Sequence, residues 1–292
     1  MKNSLEKLLL YSFLLIFISF NNNTIAQVNK IYIKRDSIKS EKLLREVVYE
    51  IAYPSQFQES LANLPVLYMN DGQDLPALNM VQIMQNMINH KEIPAFVLVA
   101  VHANERRIQE YGTAKIPDYK NRGALAEVYS KFVLDELMPK LQTQYHLSKD
   151  AKKNHFCGFS LGGLSAIDLV WNNPNVFSKV GVFSGSFWWR KKAYEDGYDD
   201  HNDRIMHNIV RSGNYAENLE FWFECGTNDE KEDRNNNGII DSIEDTLDLI
   251  TELKEKGYKK EGQVVYFEVK DGEHNQKTWS EAMPSFLKWL LN

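Results

Sequence analysis

The sequence predicts an α/β fold, a mostly parallel sheet covered by helices on both faces. Three observations predict it. Short apolar runs recur along the chain, longer stretches with helical apolar spacing separate them, and the two kinds alternate from residue 65 onward. Strands that alternate with helices pair in parallel and are buried on both faces, so they read as unbroken apolar runs. The 292 residues suffice for one large core. No internal repeat or low-complexity linker divides them, so a single domain is expected over 27–292.

The first 26 residues stand apart from that domain. Lys2 and Lys7 precede an apolar run from Leu8 to Phe20, and Thr24-Ile25-Ala26 places small residues ahead of Gln27. That layout predicts a secretory signal peptide over 1–26, cleaved near Ala26. The run falls short of the roughly 20 apolar residues that span a bilayer. A mature chain exported to the periplasm or beyond, without stable membrane insertion, is the expectation.

Within the domain, alternation and β-branched content at 30–38 and 43–53 predict an opening antiparallel pair. Buried strands are predicted at 65–69, 95–101, 154–159, 179–183, 219–224 and 263–269. Helices are predicted over 77–89, 124–145, 161–172, 202–210, 242–256 and 280–290. Open sheets of this type bind ligands beyond the carboxyl ends of their strands. The loops that follow strands are therefore where chemistry is sought.

The totals exclude some partners. A net charge of −6 provides no basic face for nucleic acid. The two cysteines, Cys157 and Cys225, end strands that are not predicted neighbours, so free buried thiols are expected rather than a disulfide or a metal site.

Gly158-Phe159-Ser160-Leu161-Gly162-Gly163 lies between a predicted strand and a predicted helix. A G-x-S-x-G run in that context forms a sharp turn that strains the serine backbone and exposes its hydroxyl. Ser160 is thus the candidate nucleophile. The amide of Leu161 would face the developing oxyanion, with the helix N-terminus behind it. A bland reading makes Ser160 a helix cap.

A serine hydroxyl needs a base to take its proton. In this strand–turn–helix setting the partners follow in the order Ser, Asp or Glu, His. His274, in Asp271-Gly272-Glu273-His274-Asn275, directly follows the last predicted strand and is the candidate base. His201 and His207 sit in a polar helical stretch, and His155 lies inside the strand before the turn. Asp229 is the first loop carboxylate after strand 219–224 and is the candidate acid, with Glu230 and Glu224 as competitors. It would hold the imidazole tautomer and stabilise the imidazolium. A second oxyanion donor is expected after strand 65–69, where Gly72 permits close backbone approach and the amide of Gln73 is the candidate.

These residues resemble the esterase D-like branch of the α/β-hydrolases, which includes feruloyl, acetyl-xylan and enterochelin esterases and mycobacterial mycolyltransferases. The resemblance covers most of the mature chain. It rests on LYMNDGQD (67–74), VAVHANERRIQEY (99–111), GFSLGG (158–163), FSGSFWW (183–189), CGTND (225–229) and GEHN (272–275). It implies an α/β-hydrolase fold and a serine esterase that uses no organic cofactor. Its nucleophile, acid and base fall on Ser160, Asp229 and His274, and its oxyanion amides fall on Leu161 and near Gln73. It also implies a small-molecule or oligosaccharide ester as substrate, of carbohydrate or siderophore type. Acyl transfer by the same triad, or a non-catalytic binding role, are the alternatives. Phe187, Trp188 and Trp189 either wall a pocket or pack the core. Arg106, Arg107, Glu110 and Tyr111 either form its rim or pair with one another.

A polar stretch between acid and base departs from the feruloyl-esterase pattern. Residues 233–244, DRNNNGIIDSIE, fit the twelve-position EF-hand loop. Asp233, Asn235 and Asn237 take positions 1, 3 and 5, and Gly238 makes the turn at position 6. Ile239 offers its carbonyl at position 7, Asp241 fills position 9 and Glu244 fills position 12. A structural calcium ion is expected there, with Kd on the order of 10⁻⁴ to 10⁻³ M.

Overall fold

The computed structural model describes residues 30–58 and 60–292, and the expected signal peptide lies outside them. Its strands are β1 (Ile31–Ser40), β2 (Arg45–Pro54), β3 (Val66–Asn70), β4 (Val97–Val101), β5 (Asn154–Phe159), β6 (Lys179–Phe183), β7 (Glu220–Asn228) and β8 (Val264–Glu273). They form one sheet in the order β1-β2-β4-β3-β5-β6-β7-β8. The β1–β2 and β2–β4 pairs are antiparallel, and the rest are parallel. The α/β-hydrolase architecture expected from the sequence is present.

The period of two in a strand explains how apolar runs serve two layers at once. In β3, Val66 and Tyr68 enter one core cluster while Leu67 and Met69 enter the other. The helices are α1 (Met80–Asn89), α2 (Arg107–Glu110), α3 (Ala126–Phe132), α4 (Met138–Gln144), α5 (Leu161–Asn172), α6 (Asp200–Asp203), α7 (Ile205–Ser212), α8 (Asp241–Lys256) and α9 (Gln276–Leu291). Met80 and Met84 of α1 share a core with Trp279 and Phe286 of α9 on one face of the sheet. Leu164 of α5, Val210 of α7 and Leu249 of α8 pack into the core of the other face.

One predicted helix differs. The span 124–145 forms two α-segments separated by a π-turn over Val133–Leu137. Pro139 enters at the start of α4, where it lacks an N–H and crowds the carbonyl of residue 135, so the regular ladder widens ahead of it. Cys157 and Cys225 are free and buried, as expected. Among the described residues, no helix is long and apolar enough to cross a membrane.

Candidate active site

The parallel strands all end on one edge, and the predicted residues are brought to it. Ser160 follows β5 directly, with φ 54 and ψ −123, a conformation that non-glycine residues rarely adopt. The surroundings hold it there. Its N–H donates to Phe183 O at 2.8 Å, and its carbonyl accepts from Gly163 and Leu164 as α5 begins. A Cβ on Gly158 would lie 2.2 Å from Gly162 O, so strand and helix meet this closely only through glycine. The Leu161 amide, as the first helical residue, has no intrahelical acceptor and is left for a ligand.

The loop after β3 is clamped against this turn. Asn70 Nδ2 donates to Gly162 O at 2.8 Å, and Asn70 Oδ1 accepts from Tyr129 Oη. Asp71 is left-handed at φ 59, buried, and held by both Nε and Nη2 of Arg107 at 2.7 Å. Gln73 lies in the 3-10 turn Gly72–Asp74 that follows, again ahead of any helical acceptor. Contact between the two turns thus places the Gln73 and Leu161 segments side by side at the ends of neighbouring strands.

His274 follows β8, and its Nδ1 lies 3.2 Å from Asp229 Oδ2. Asp229 is the buried partner and His274 the partly exposed one. Glu224 and Glu230 do not compete for the imidazole. Glu224 lies inside β7, and Glu230 Oε1 accepts the Ser242 amide instead. In this state the Ser160 hydroxyl lies 3.4 Å from the Ser186 hydroxyl rather than in a hydrogen bond to His274.

Several partners of this site were not singled out from the sequence. Ser184 donates to Asp229 Oδ1 at 2.9 Å and accepts from Trp279 Nε1 at 2.9 Å. Trp279 also stands edge-on to His274, with ring centroids 5.3 Å apart. The signal for Ser184 was its place after β6, in the run that was read for its aromatics. Of those aromatics, Phe187 and Trp189 are fully buried packing residues, and Trp188 alone is partly exposed. Arg122 lies 4.8 Å from its ring.

The structure refines two readings. The helical stretch holding His207 is amphipathic, with His207 on its buried side. His207 is fully buried against Phe187, and burial pushes its pKa well below the ordinary value. Of the two readings left open for residues 106–111, ion pairing is the one present, with Arg106 Nε 3.5 Å from Glu110 Oε1. Arg107 neutralises Asp71, Glu110 is buried against Arg45, and Tyr111 is buried beneath them.

The polar loop also converges. Asp233 accepts the Asn237 and Gly238 amides, and Asn235 and Asn237 both donate to Glu244. Gly238 has φ 90, as the sixth position requires. Ile239 is half-exposed. Asp241 instead accepts the Arg234 amide at 2.9 Å and pairs with its guanidinium. Among the described residues, no three His, Cys, Asp or Glu side chains form a metal-holding group. The Asn235 and Asn237 side-chain oxygens accept the Asn237 and Ile239 amides, so turning them toward a hard cation would exchange those bonds for ligation.

Residues 40–290 match the family model described as Putative esterase. The chain is 21% identical over 246 residues to the uncharacterized protein YbbA of Bacillus subtilis (strain 168), covering 83% of this chain and 91% of that one. It is 23% identical over 163 residues to the iron(III) enterobactin esterase of Dickeya dadantii (strain 3937), covering 54% and 34%. A solved ferulic acid esterase superposes with TM-score 0.65 at 16% identity, covering 90% of this chain and 98% of that one. The enterobactin esterase of Shigella flexneri superposes with TM-score 0.70 at 20% identity, covering 90% and 60%. At these identities the structural likeness establishes the shared fold.

Proposed function

Because the chain belongs to the Esterase family, the carboxylic-ester hydrolases of this fold, we propose that it is an exported serine esterase acting through an acyl-enzyme. The observation that carries this reading is the Asp229–His274 contact on the same sheet edge as the strained Ser160. Ser160 Oγ leaves Ser186, passes its proton to His274 Nε2 and attacks the ester carbonyl. Asp229 keeps the Nδ1 proton in place and stabilises the imidazolium. The amides of Leu161 and Gln73 receive the oxyanion. His274 then protonates the departing alcohol, and water reverses the sequence to release the acid.

The substrate in this reading is a carbohydrate- or siderophore-type ester. Trp188, partly exposed two residues after Ser186 and backed by Arg122, offers a flat apolar surface to a sugar face or an aromatic acyl group. The test is hydrolysis of p-nitrophenyl acetate and butyrate by the mature protein, with fluorophosphonate labelling read by peptide mass. Turnover together with label on the Ser160 peptide is expected. A folded protein with neither leaves a binding role on a hydrolase scaffold, and product diverted to an added alcohol identifies acyl transfer.

We further propose that Asp233, Asn235, Asn237, the Ile239 carbonyl and Glu244 hold a structural calcium ion, with Asp241 reaching it through a water while it keeps the Arg234 amide. The loop is tied to the segment that follows the acid: Glu230 accepts from Ser242 at the start of α8, and the Asp241 amide donates to Glu232 O at 2.8 Å. Order in the loop is thereby passed to Asp229. Against EGTA, 10 mM calcium is expected to raise Tm by on the order of 5 °C and to raise turnover. Identical Tm and turnover in the two conditions would refute both the site and its coupling.

A further inference from the structure

The carboxyl edge of the sheet holds a second buried carboxyl that the reaction above does not use. Glu224 is fully buried in β7, on the face that carries Trp222. It is paired across the sheet with Phe183 and Phe267. Its Oε1 has no hydrogen-bond partner, and its Oε2 lies 3.5 Å from Ser184 Oγ. An ionised carboxylate in such a place leaves charge on an unpartnered oxygen, whereas a neutral acid leaves only a carbonyl.

The protons at Ser184 decide between the two forms. A hydroxyl has one proton and two lone pairs. Ser184 commits its proton to Asp229 Oδ1 at 2.9 Å and one lone pair to Trp279 Nε1 at 2.9 Å. With that proton on the shorter contact, the 3.5 Å approach to Glu224 Oε2 can be a hydrogen bond only if Glu224 carries the proton. Burial, and then repulsion from Asp229, raises the Glu224 carboxyl to about 8, in line with that form. The backbone is arranged to the same end. Ser184 is held left-handed at φ 47, its N–H donating to Glu224 O at 2.8 Å, and strain of this kind persists where neighbours impose it.

We propose that Glu224 and Ser184 are positioning residues for the Asp229–His274 pair: Glu224 donates to Ser184 Oγ, Ser184 donates to Asp229 Oδ1, and Asp229 is left with Oδ2 turned to His274. The proposal rests on the serine-esterase reading. The relay fixes the rotation of the acid without touching substrate, and Trp279 braces both Ser184 and the imidazole ring.

The test compares Ser184→Gly, Glu224→Leu and Glu224→Gln in the mature chain, each first shown to be folded by near-UV circular dichroism. Glycine removes the hydroxyl and also relieves the left-handed strain, so lost activity is separated from lost fold. Glu224→Gln keeps an N–H donor for Ser184, whereas leucine does not. Ser184→Gly is expected to lower kcat by about 10- to 100-fold, the effect of losing one hydrogen bond to a charged group, and Glu224→Leu by about 3- to 10-fold, the effect of losing a neutral one. KM should hold, the acidic limb of the kcat/KM pH profile should move, and Glu224→Gln should restore both. If Ser184→Gly does not fold, the two Glu224 variants carry the comparison. A wild type that neither turns over nor labels on Ser160 defeats the esterase reading before any variant is made. The relay is then read from the low-field Nδ1 proton resonance of His274, expected to shift in Ser184→Gly and Glu224→Leu. Folded variants with kcat, acidic limb and that resonance all unchanged would overturn the proposal.

Discussion

Ser160→Ala is expected to lower kcat on p-nitrophenyl butyrate by about 10⁴- to 10⁶-fold while Tm stays within a few degrees of wild type. The chemical loss is large because Ser160 is the hydroxyl held in the strained strand-to-helix turn at the sheet edge. The structural loss is small. Alanine keeps the backbone bonds to Phe183, Gly163 and Leu164 and forfeits only a 3.4 Å contact between hydroxyls. Because the two residues act as a unit, adding His274→Ala to Ser160→Ala should change little further. Ser186 is the nearest alternative nucleophile, so residual turnover above about 1% that vanishes on Ser186→Ala would reassign the role.

Glu224→Gln is expected to change how stability depends on pH. The native Glu224 carboxyl titrates at about 8 against an ordinary 4.5, because of burial first and the Asp229 charge second. Between those values the native protein binds a proton that the unfolded chain has released, so stability falls as pH rises through the window. Below the window both states are protonated and the cost is absent. Above it both are ionised and the cost is complete. The titratable groups facing Glu224 are Asp229, its chain neighbour Cys225 and Tyr266 on β8. Their own titrations largely cancel in a comparison with glutamine, which keeps the shape and cannot ionise. Each pKa unit is worth about 1.4 kcal/mol, so the full penalty is on the order of a few kcal/mol. By calorimetry the two proteins should melt together at about pH 4, below the window. Glu224→Gln should melt on the order of 5 to 10 °C higher at pH 9. Parallel Tm curves across that range would show that Glu224 is not held neutral.

Much of this was legible in the chain itself. Strands 154–159 and 179–183 and helix 161–172 match residue for residue, because unbroken apolar runs end abruptly at turn residues. Ser160, Asp229 and His274 were singled out by order and by position after strands, a local property, and the structure brings Asp229 and His274 into contact. Boundaries moved where a cap or break acted across a few residues. Helix α9 starts at Gln276 rather than residue 280 because Asn275 accepts the Thr278 amide. Strand β7 runs on to Asn228, paired with β8 across a register shift.

The tertiary structure alone decided what those residues touch. Arg107 read equally as a rim cation or as half of an ion pair until Asp71 was found beside it. Glu224 read as a rival acid until the β6–β7 register set it opposite Phe183, next to Ser184 and behind Asp229. Residues 184, 224, 229 and 279 lie up to 95 positions apart. Their meeting depends on strand register and on how α9 packs across the sheet, which no local run of the sequence encodes. The sequence by itself singled out the candidate groups, because each is marked by its place after a strand. Packing decided their burial and their partners, because those depend on distances between segments far apart in the chain.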